Sequence, residues 1–186
     1  MINGKKLKIS DTNFHGLKLI EGVVFQDERG LFFKNFNLDL KNTLMPHPVE
    51  SYFSRSVKGA IRGLHFQRGK YSQAKLVFCV SGSFIDLATD LRRDSKTFGK
   101  TFVAKLDANL GQGIFLPVGF AHGICSLEDN TEMVAVSSAQ HSPEDEGGVL
   151  WSSLDVVLPL EKPIVSTKDA ELPRIEAYIA NQSLCF

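Results

Sequence analysis

Helical periodicity is almost absent from this chain, and short β-prone runs fill most of it. That imbalance limits the possible folds more than any other feature. The runs are KLIEGVVF (18–25), LFFKNFN (31–37), SYFSRS (51–56), a stretch over 59–67, AKLVFCV (74–80), FIDLATD (84–90), KTFVAKL (100–106), GIFLP (113–117), AHGICSL (121–127) and TEMVAVSSA (131–139). Turn signals separate them. DERG (27–30) is one, and SGS (81–83) reads as a hairpin turn. Short strands at spacings of about 8–12 residues point to a sandwich or barrel. Residues 38–44 suit a short helical turn, and AELPRIEAYIANQ (170–182) has a helical period. The expected class is therefore all-β, a barrel with short peripheral helices. No repeat or Pro/Ser-rich linker divides the 186 residues, so residues 1–186 read as a single domain. The 14 Phe and 15 Gly fit a β-rich core cut by turns.

Charge narrows the partners. Lys+Arg and Asp+Glu are both 21, giving zero formal net charge. That argues against a basic groove for nucleic acid and against a polybasic membrane surface. A small local anion site remains compatible with it. Cys79, Cys125 and Cys185 are too few and too far apart for a disulfide framework or a metal knuckle. They read as reduced, mostly buried thiols of a cytoplasmic protein. The N-terminal MINGKKLKIS has no apolar run of the signal-peptide kind. Residues 108–127 carry no Asp, Glu, Lys or Arg, but their four glycines and Pro117 read as strand, turn and strand, not as a membrane helix.

Several polar residues stand out against this apolar pattern. In FIDLATD, alternation separates Ile85 and Leu87 from Asp86, Ala88 and Asp90. The acids lie either on a solvated sheet face or inside a barrel that holds a polar ligand. In IRGLHFQ (61–67), Arg62 and His65 are three apart, so ideal alternation puts them on opposite faces. To share a site they need a bulge, which Gly63 permits. His122 sits among glycines in GFAHGI (119–124). Two histidines in a β-barrel suggest a metal cupin, but the second position of the H-x-H pair is Gln67. No metal is expected. Asp169, in VSTKDAELP (165–173), matters only if the fold brings it to His65.

Together, DERGLFF (27–33), SRSVKGAIRGLHFQ (54–67), QAKLVFCVSGSFIDLATDLRRDSKTFG (73–99), LPVGFAHGI (116–124), SPEDEGGVLW (142–151) and STKDAELP (166–173) resemble the dTDP-4-dehydrorhamnose 3,5-epimerase family. The resemblance runs in order across roughly residues 17–175. It implies a cupin-type jelly-roll β-barrel, a homodimer, and action on a nucleotide-linked 4-keto-6-deoxy sugar with no cofactor. By the same resemblance His65 is the base that removes a proton alpha to the C4 ketone, and Asp169 orients it. Lys75 matches a substrate-contacting lysine able to stabilise the O4 anion. Arg62 and His122 match diphosphate and sugar contacts. Arg29 matches a nucleotide contact often reached from a partner subunit. Asp86 matches a buried acid beside the dyad, and Glu146 a substrate contact. Lys168, next to Asp169, joins the substrate-binding candidates.

The chain also departs from that family. Its two tyrosine positions, one of them the proton donor, are Ala135 and His141. Its Gln-x-Asn positions are Glu50 and Tyr52. Tyr52 either supplies a phenol from a different strand or merely packs. The family's glutamate five residues after the RG arginine is Lys34 here. A lysine only donates, so a nucleobase rich in acceptors, such as cytosine or guanine, suits it better than thymine. The expected function is epimerisation at C3, C5 or both, with proton return from Tyr52, His141 or water. The alternatives are a nucleotide-sugar 3,4-ketoisomerase and a non-catalytic sugar-nucleotide binding module.

Overall fold

The computed structural model describes residues 7–181 and 186. Cys185 and the last residue of the C-terminal helical pattern, Gln182, lie outside the described residues. The strands in chain order are β1 (Lys8–Asp11), β2 (Lys18–Glu21), β3 (Phe25–Asp27), β4 (Gly30–Phe32), β5 (Glu50–Ser56), β6 (Ala60–Gln67), β7 (Lys75–Ser81), β8 (Ser83–Asp90), β9 (Thr101–Asp107), β10 (Gln112–Leu116), β11 (Phe120–Ser126), β12 (Thr131–Ser137), β13 (Glu146–Gly148) and β14 (Ile164–Val165). Three short helices accompany them: α1 (Leu38–Thr43), α2 (Thr167–Ala170) and α3 (Ile175–Ala180). The C-terminal helical pattern is thus split, with Pro173 between α2 and α3.

Two sheets face each other as a jelly roll. One has the order β1-β2-β10-β7-β12-β5, the other β13-β6-β11-β8-β9 with β14 added alongside β6. Pairing is antiparallel except between β14 and β6. The SGS segment is not a hairpin turn. β7 and β8 belong to different sheets, and Gly82, at φ 66°, turns the chain from one layer to the other. The β3–β4 hairpin pairs only with itself among the described strands.

The alternation explains the layers. Inward residues Val77, Cys79, Phe84, Ala88, Ile114, Ile124, Met133 and Ala135 form the core between the sheets. Outward residues of the second sheet, Leu64, Phe66, Leu87 and Ala121, pack under Val149, Leu154, Ile175 and Tyr178. Outward residues of the first, Ile20, Leu76, Phe78, Phe115 and Val136, pack under Leu40, Leu44 and Met45 at α1. Asn37 caps α1 by accepting from the Leu40 N–H at 3.0 Å, which fixes how Leu40 enters that layer. Both outer faces are therefore covered, and the acids of β8 are not on a solvated face. Asp86 and Asp90 are fully buried inside the sandwich. Asp90 is satisfied there by Arg92, Ser95 and Thr97.

Candidate active site

Inward-facing residues are apolar at one end of the sandwich and polar at the other. The polar end is a cleft of about 720 Å3 lined by, among others, Tyr52, Ser54, Ser56, Arg62, His65, Lys75, His122 and Asp169. A pocket of about 310 Å3 adjoins it, lined by Glu50, Gln67, Gln73, His141 and Glu146, and sharing Tyr52, His65 and Lys75 with it. The larger space falls in the range of small-molecule sites.

Arg62 and His65 do share the cleft, by the bulge that ideal alternation requires. β11 pairs His122 with His65 and Ile124 with Arg62, so three steps along β6 match two along β11. Gly63 sits in that irregularity at φ 103°. A Cβ there would lie 2.6 Å from the His122 carbonyl oxygen and 2.9 Å from the Gly123 Cα. Only glycine fits.

Asp169 reaches His65 by a built route. β14 runs beside the start of β6, with Val165 opposite Ile61. Ser166 then caps α2, accepting from the Asp169 N–H at 3.1 Å. Asp169 is 5% exposed. Its Oδ1 lies 2.7 Å from His65 Nε2, and its Oδ2 accepts from the Gly63 N–H at 2.9 Å. Asp169 therefore holds both the imidazole and the bulge that aims it. With Nε2–H donated to Asp169, Nδ1 is left to accept a proton. Glu146 Oε1 is 3.8 Å from that nitrogen.

Glu146 lies on β13, opposite Gln67 of β6. It accepts from Lys168 Nζ at 2.7 Å and meets His141 Nε2 at 3.3 Å. Burial opposes its charge, but the hydrogen bonds from Lys168 and His141, with nearby His65, outweigh burial and hold the carboxyl below its usual value. Glu50 accepts from the His141 backbone N–H at 2.9 Å. Gln67, at the would-be metal-histidine position, instead clamps Ser142 through both ends of its amide. Among the described residues, no three His, Cys, Asp or Glu side chains converge as a metal set.

A second imidazole–carboxylate pair stands beside the first. His122 is the register partner of His65, and its Nε2 lies 2.7 Å from Asp86 Oδ2. Asp86 is fully buried behind His122 and lines neither pocket. Its Oδ1 has no hydrogen-bond partner among the described residues.

Lys75 is 8% exposed. Burial pulls its ammonium down to about 8, against the opposing pull of Glu146 and Asp86. Tyr52 is 37% exposed, and that surface is cleft wall. Loss of water there, with repulsion from Glu50 and Asp86, pushes its phenol up to about 12. Arg62 is held ready by Ser56 Oγ, which accepts from Nε at 2.9 Å, and by the Arg55 carbonyl at 3.0 Å.

Two expected contacts are not in this chain's own cleft. Arg29 sits in the β3–β4 turn, its side chain 85% exposed and paired with Asp27. Lys34 lines a separate surface hollow with Asn37, Asp39 and Thr43. The sequence argument against thymine therefore has no residue behind it inside this cleft. Conversely, Ser54, Ser56 and Gln73 line the site without having been singled out. Period-2 alternation from Tyr52 and Lys75 marks all three.

The sequence profile of the dTDP-4-dehydrorhamnose 3,5-epimerase family matches residues 11–177. The chain belongs to that family. It is 38% identical over 168 residues to the dTDP-4-dehydrorhamnose 3,5-epimerase of Shigella flexneri, covering 88% of this chain and 93% of the relative. Among solved structures, the dTDP-6-deoxy-D-glucose-3,5-epimerase of Legionella pneumophila in complex with dTDP-4-keto-L-rhamnose superposes with a TM-score of 0.88 at 31% identity, covering 97% of each chain. NovW, a 4-keto-6-deoxy sugar epimerase of Streptomyces spheroides, gives a TM-score of 0.89 at 26% identity, covering 98% of this chain and 94% of its own. The expected cupin-type jelly roll of this epimerase family is thus the observed fold.

Proposed function

We propose that the protein is an epimerase of a nucleoside-diphosphate 4-keto-6-deoxy sugar, inverting C3, C5 or both with no metal or organic cofactor. The observation that carries this is the His65–Asp169 pair, at 2.7 Å, opening into a cleft that also holds a buried lysine. A C4 ketone acidifies the hydrogens on its neighbouring carbons. His65 takes one of them through Nδ1, and the C–H electron pair becomes the C=C of an enolate. Asp169 stabilises the imidazolium that results. Lys75, itself buried, places its cation where O4 becomes negative. Arg62 and His122 face the diphosphate and sugar, with Ser54 and Ser56 on the opposite wall. Glu50 and Glu146 contact the sugar from the smaller pocket, and Lys168 from the wall of the larger cleft. A pure binding module has no use for a base held by a buried carboxylate, and that pair also weighs for the epimerase.

The exposed apolar surface supports a homodimer. Phe32 is 58% exposed and Phe25 40% on the unattached β3–β4 hairpin, and Phe53 is 54% exposed on the edge strand β5. A second copy covering these would bring Arg29 towards its neighbour's nucleotide, which is the role the family resemblance implies for it. Sedimentation measures the dimer directly, and a monomer at micromolar concentration argues against it. Among the described residues no helix is long and apolar enough to cross a membrane. The buried thiols Cys79 and Cys125 support a cytoplasmic setting.

The test is proton NMR in heavy water with 4-keto-6-deoxyglucose carried on dTDP, CDP and GDP. The reading requires deuterium at C3 or C5 and a new epimer from at least one. No exchange with any of the three contradicts it.

A further inference from the structure

Inversion needs two groups on opposite sides of the sugar, because a proton returned by the base restores the starting carbon. The cleft is asymmetric in this respect. His65, His122, Asp169, Glu146 and Lys168 all come from the second sheet or from segments pinned to it. His141 joins that side through its ring, which meets Glu146 at 3.3 Å. An acid held there delivers to the face that the base has just vacated. The first sheet faces the cleft with Tyr52, Lys75 and the hydroxyls of Ser54 and Ser56. Ser56 is engaged by Arg62, and only Tyr52 and Lys75 also line the smaller pocket with His65.

Their placement follows from register. Directly opposed residues of an antiparallel pair share a face. Tyr52 is opposite Ala135, and Ala135 is opposite Val77, which makes one row. Glu50 is opposite Ser137, and Ser137 opposite Lys75, which makes the next. Lys75 and Tyr52 thus flank β12 diagonally, and the residues between them, Ala135 and Ser137, are small. That leaves room over β12 for a ring from the neighbouring strand, whose Cβ starts only about 5 Å away. Lys75 is committed to the developing O4 anion, where it must stay charged.

We infer that Tyr52 is the acid that completes inversion, delivering its phenolic proton to the enolate carbon on the face opposite His65. This rests on the epimerase reading above. The C=C electron pair forms the new C–H bond, C4–O⁻ becomes C=O again, and tyrosinate remains. The imidazolium of His65 then loses its proton to water and Tyr52 regains one from water, so no other reactant is needed. Burial keeps the phenol protonated across the working range, consistent with this role. A phenol at 52 stands in for one on β12, which carries none in this chain.

The experiment follows nucleotide-linked 4-keto-6-deoxyglucose in heavy water with the wild type and Tyr52→Phe, after circular dichroism shows matching folds and melting. Removing one oxygen from a residue on the cleft wall is compatible with folding. We expect epimerised product to fall by about 10²–10⁴-fold, the usual worth of a positioned acid. Deuterium uptake at the attacked carbon should stay within about tenfold, since His65 still exchanges it on one face. Product within tenfold of wild type overturns the inference. Equal loss of product and exchange in a folded variant also overturns it, because Tyr52 then serves binding and not proton return. The wild type is first tested with the sugar on dTDP, CDP and GDP, and the variant is compared on a carrier that exchanges. A wild type that exchanges none of the three overturns the epimerase reading itself, and is recognised before any variant is made.

Discussion

Replacing Lys75 by methionine should make the protein more stable and inactive. The side chain keeps its length and apolar stem but loses a charge that the fold shelters from water. Burial draws the ammonium from the ordinary 10.5 to about 8. At 1.36 kcal/mol per pH unit, that fall is worth roughly 3 kcal/mol of destabilisation in the charged form. Because the folded value lies below the unfolded one, the unfolded chain binds more protons between pH 8 and 10.5. The penalty is therefore full below about pH 8 and gone above about pH 10.5. Lys75→Met should gain roughly 3 kcal/mol at pH 7, or about 6–12 °C in melting temperature for a chain of this size. The gain should shrink steadily as pH rises towards 10.5. Urea unfolding followed by circular dichroism at fixed protein concentration measures it, and deuterium exchange reports activity, which should fall at least about a hundredfold. A variant no more stable than wild type at pH 7, or a gain that persists unchanged at pH 10.5, refutes the claim that this charge is held at a cost to the fold.

Three further outcomes follow from the same geometry. Exchange by the wild type should decline as pH rises through about 8, where Lys75 loses its proton; a flat profile to pH 9.5 removes the ammonium from the mechanism. Asp169→Asn should lower kcat by about 10²-fold or more and also lower stability, because the same carboxylate accepts from the Gly63 N–H; normal turnover leaves His65 without an orienting role for Asp169. Gly63→Ala should cost about 3 kcal/mol or more, or prevent folding, since its Cβ meets the His122 carbonyl at a φ that side chains rarely adopt; a stable, active variant means the bulge is not built as described.

Alternation decides which residues face the cleft, but the family resemblance is what singled out Lys75, Asp169 and the role of His65. Tyr52, Lys75 and Asp86 fall inward because strands β5, β7 and β8 keep period 2. Arg62 and His65 violate that period, and Gly63 marked where the violation would occur. The sheet to which a strand belongs was not legible. SGS has hairpin chemistry, yet the chain uses it to change layers, a choice made by packing between sheets and not by the turn. The His65–Asp169 pair spans 104 residues, and only the parallel seat of β14 on β6 brings it together. Nothing local to VSTKDAELP encodes that seat. A carboxylate on a core strand needs a partner, and alternation left open whether Asp86 meets solvent or the inside of the barrel. The partner is His122 on the neighbouring strand β11, whose register position on β8 is Ala88, two residues from Asp86.

The central claim is that His65 removes a proton alpha to the sugar ketone. The most direct measurement is deuterium incorporation at C3 and C5 of dTDP-4-keto-6-deoxyglucose by the wild type and by His65→Asn, matched for folding by circular dichroism. The account predicts incorporation by the wild type and a loss of about 10²–10⁴-fold in the variant. Exchange by His65→Asn within about tenfold of wild type would contradict it and assign the base elsewhere.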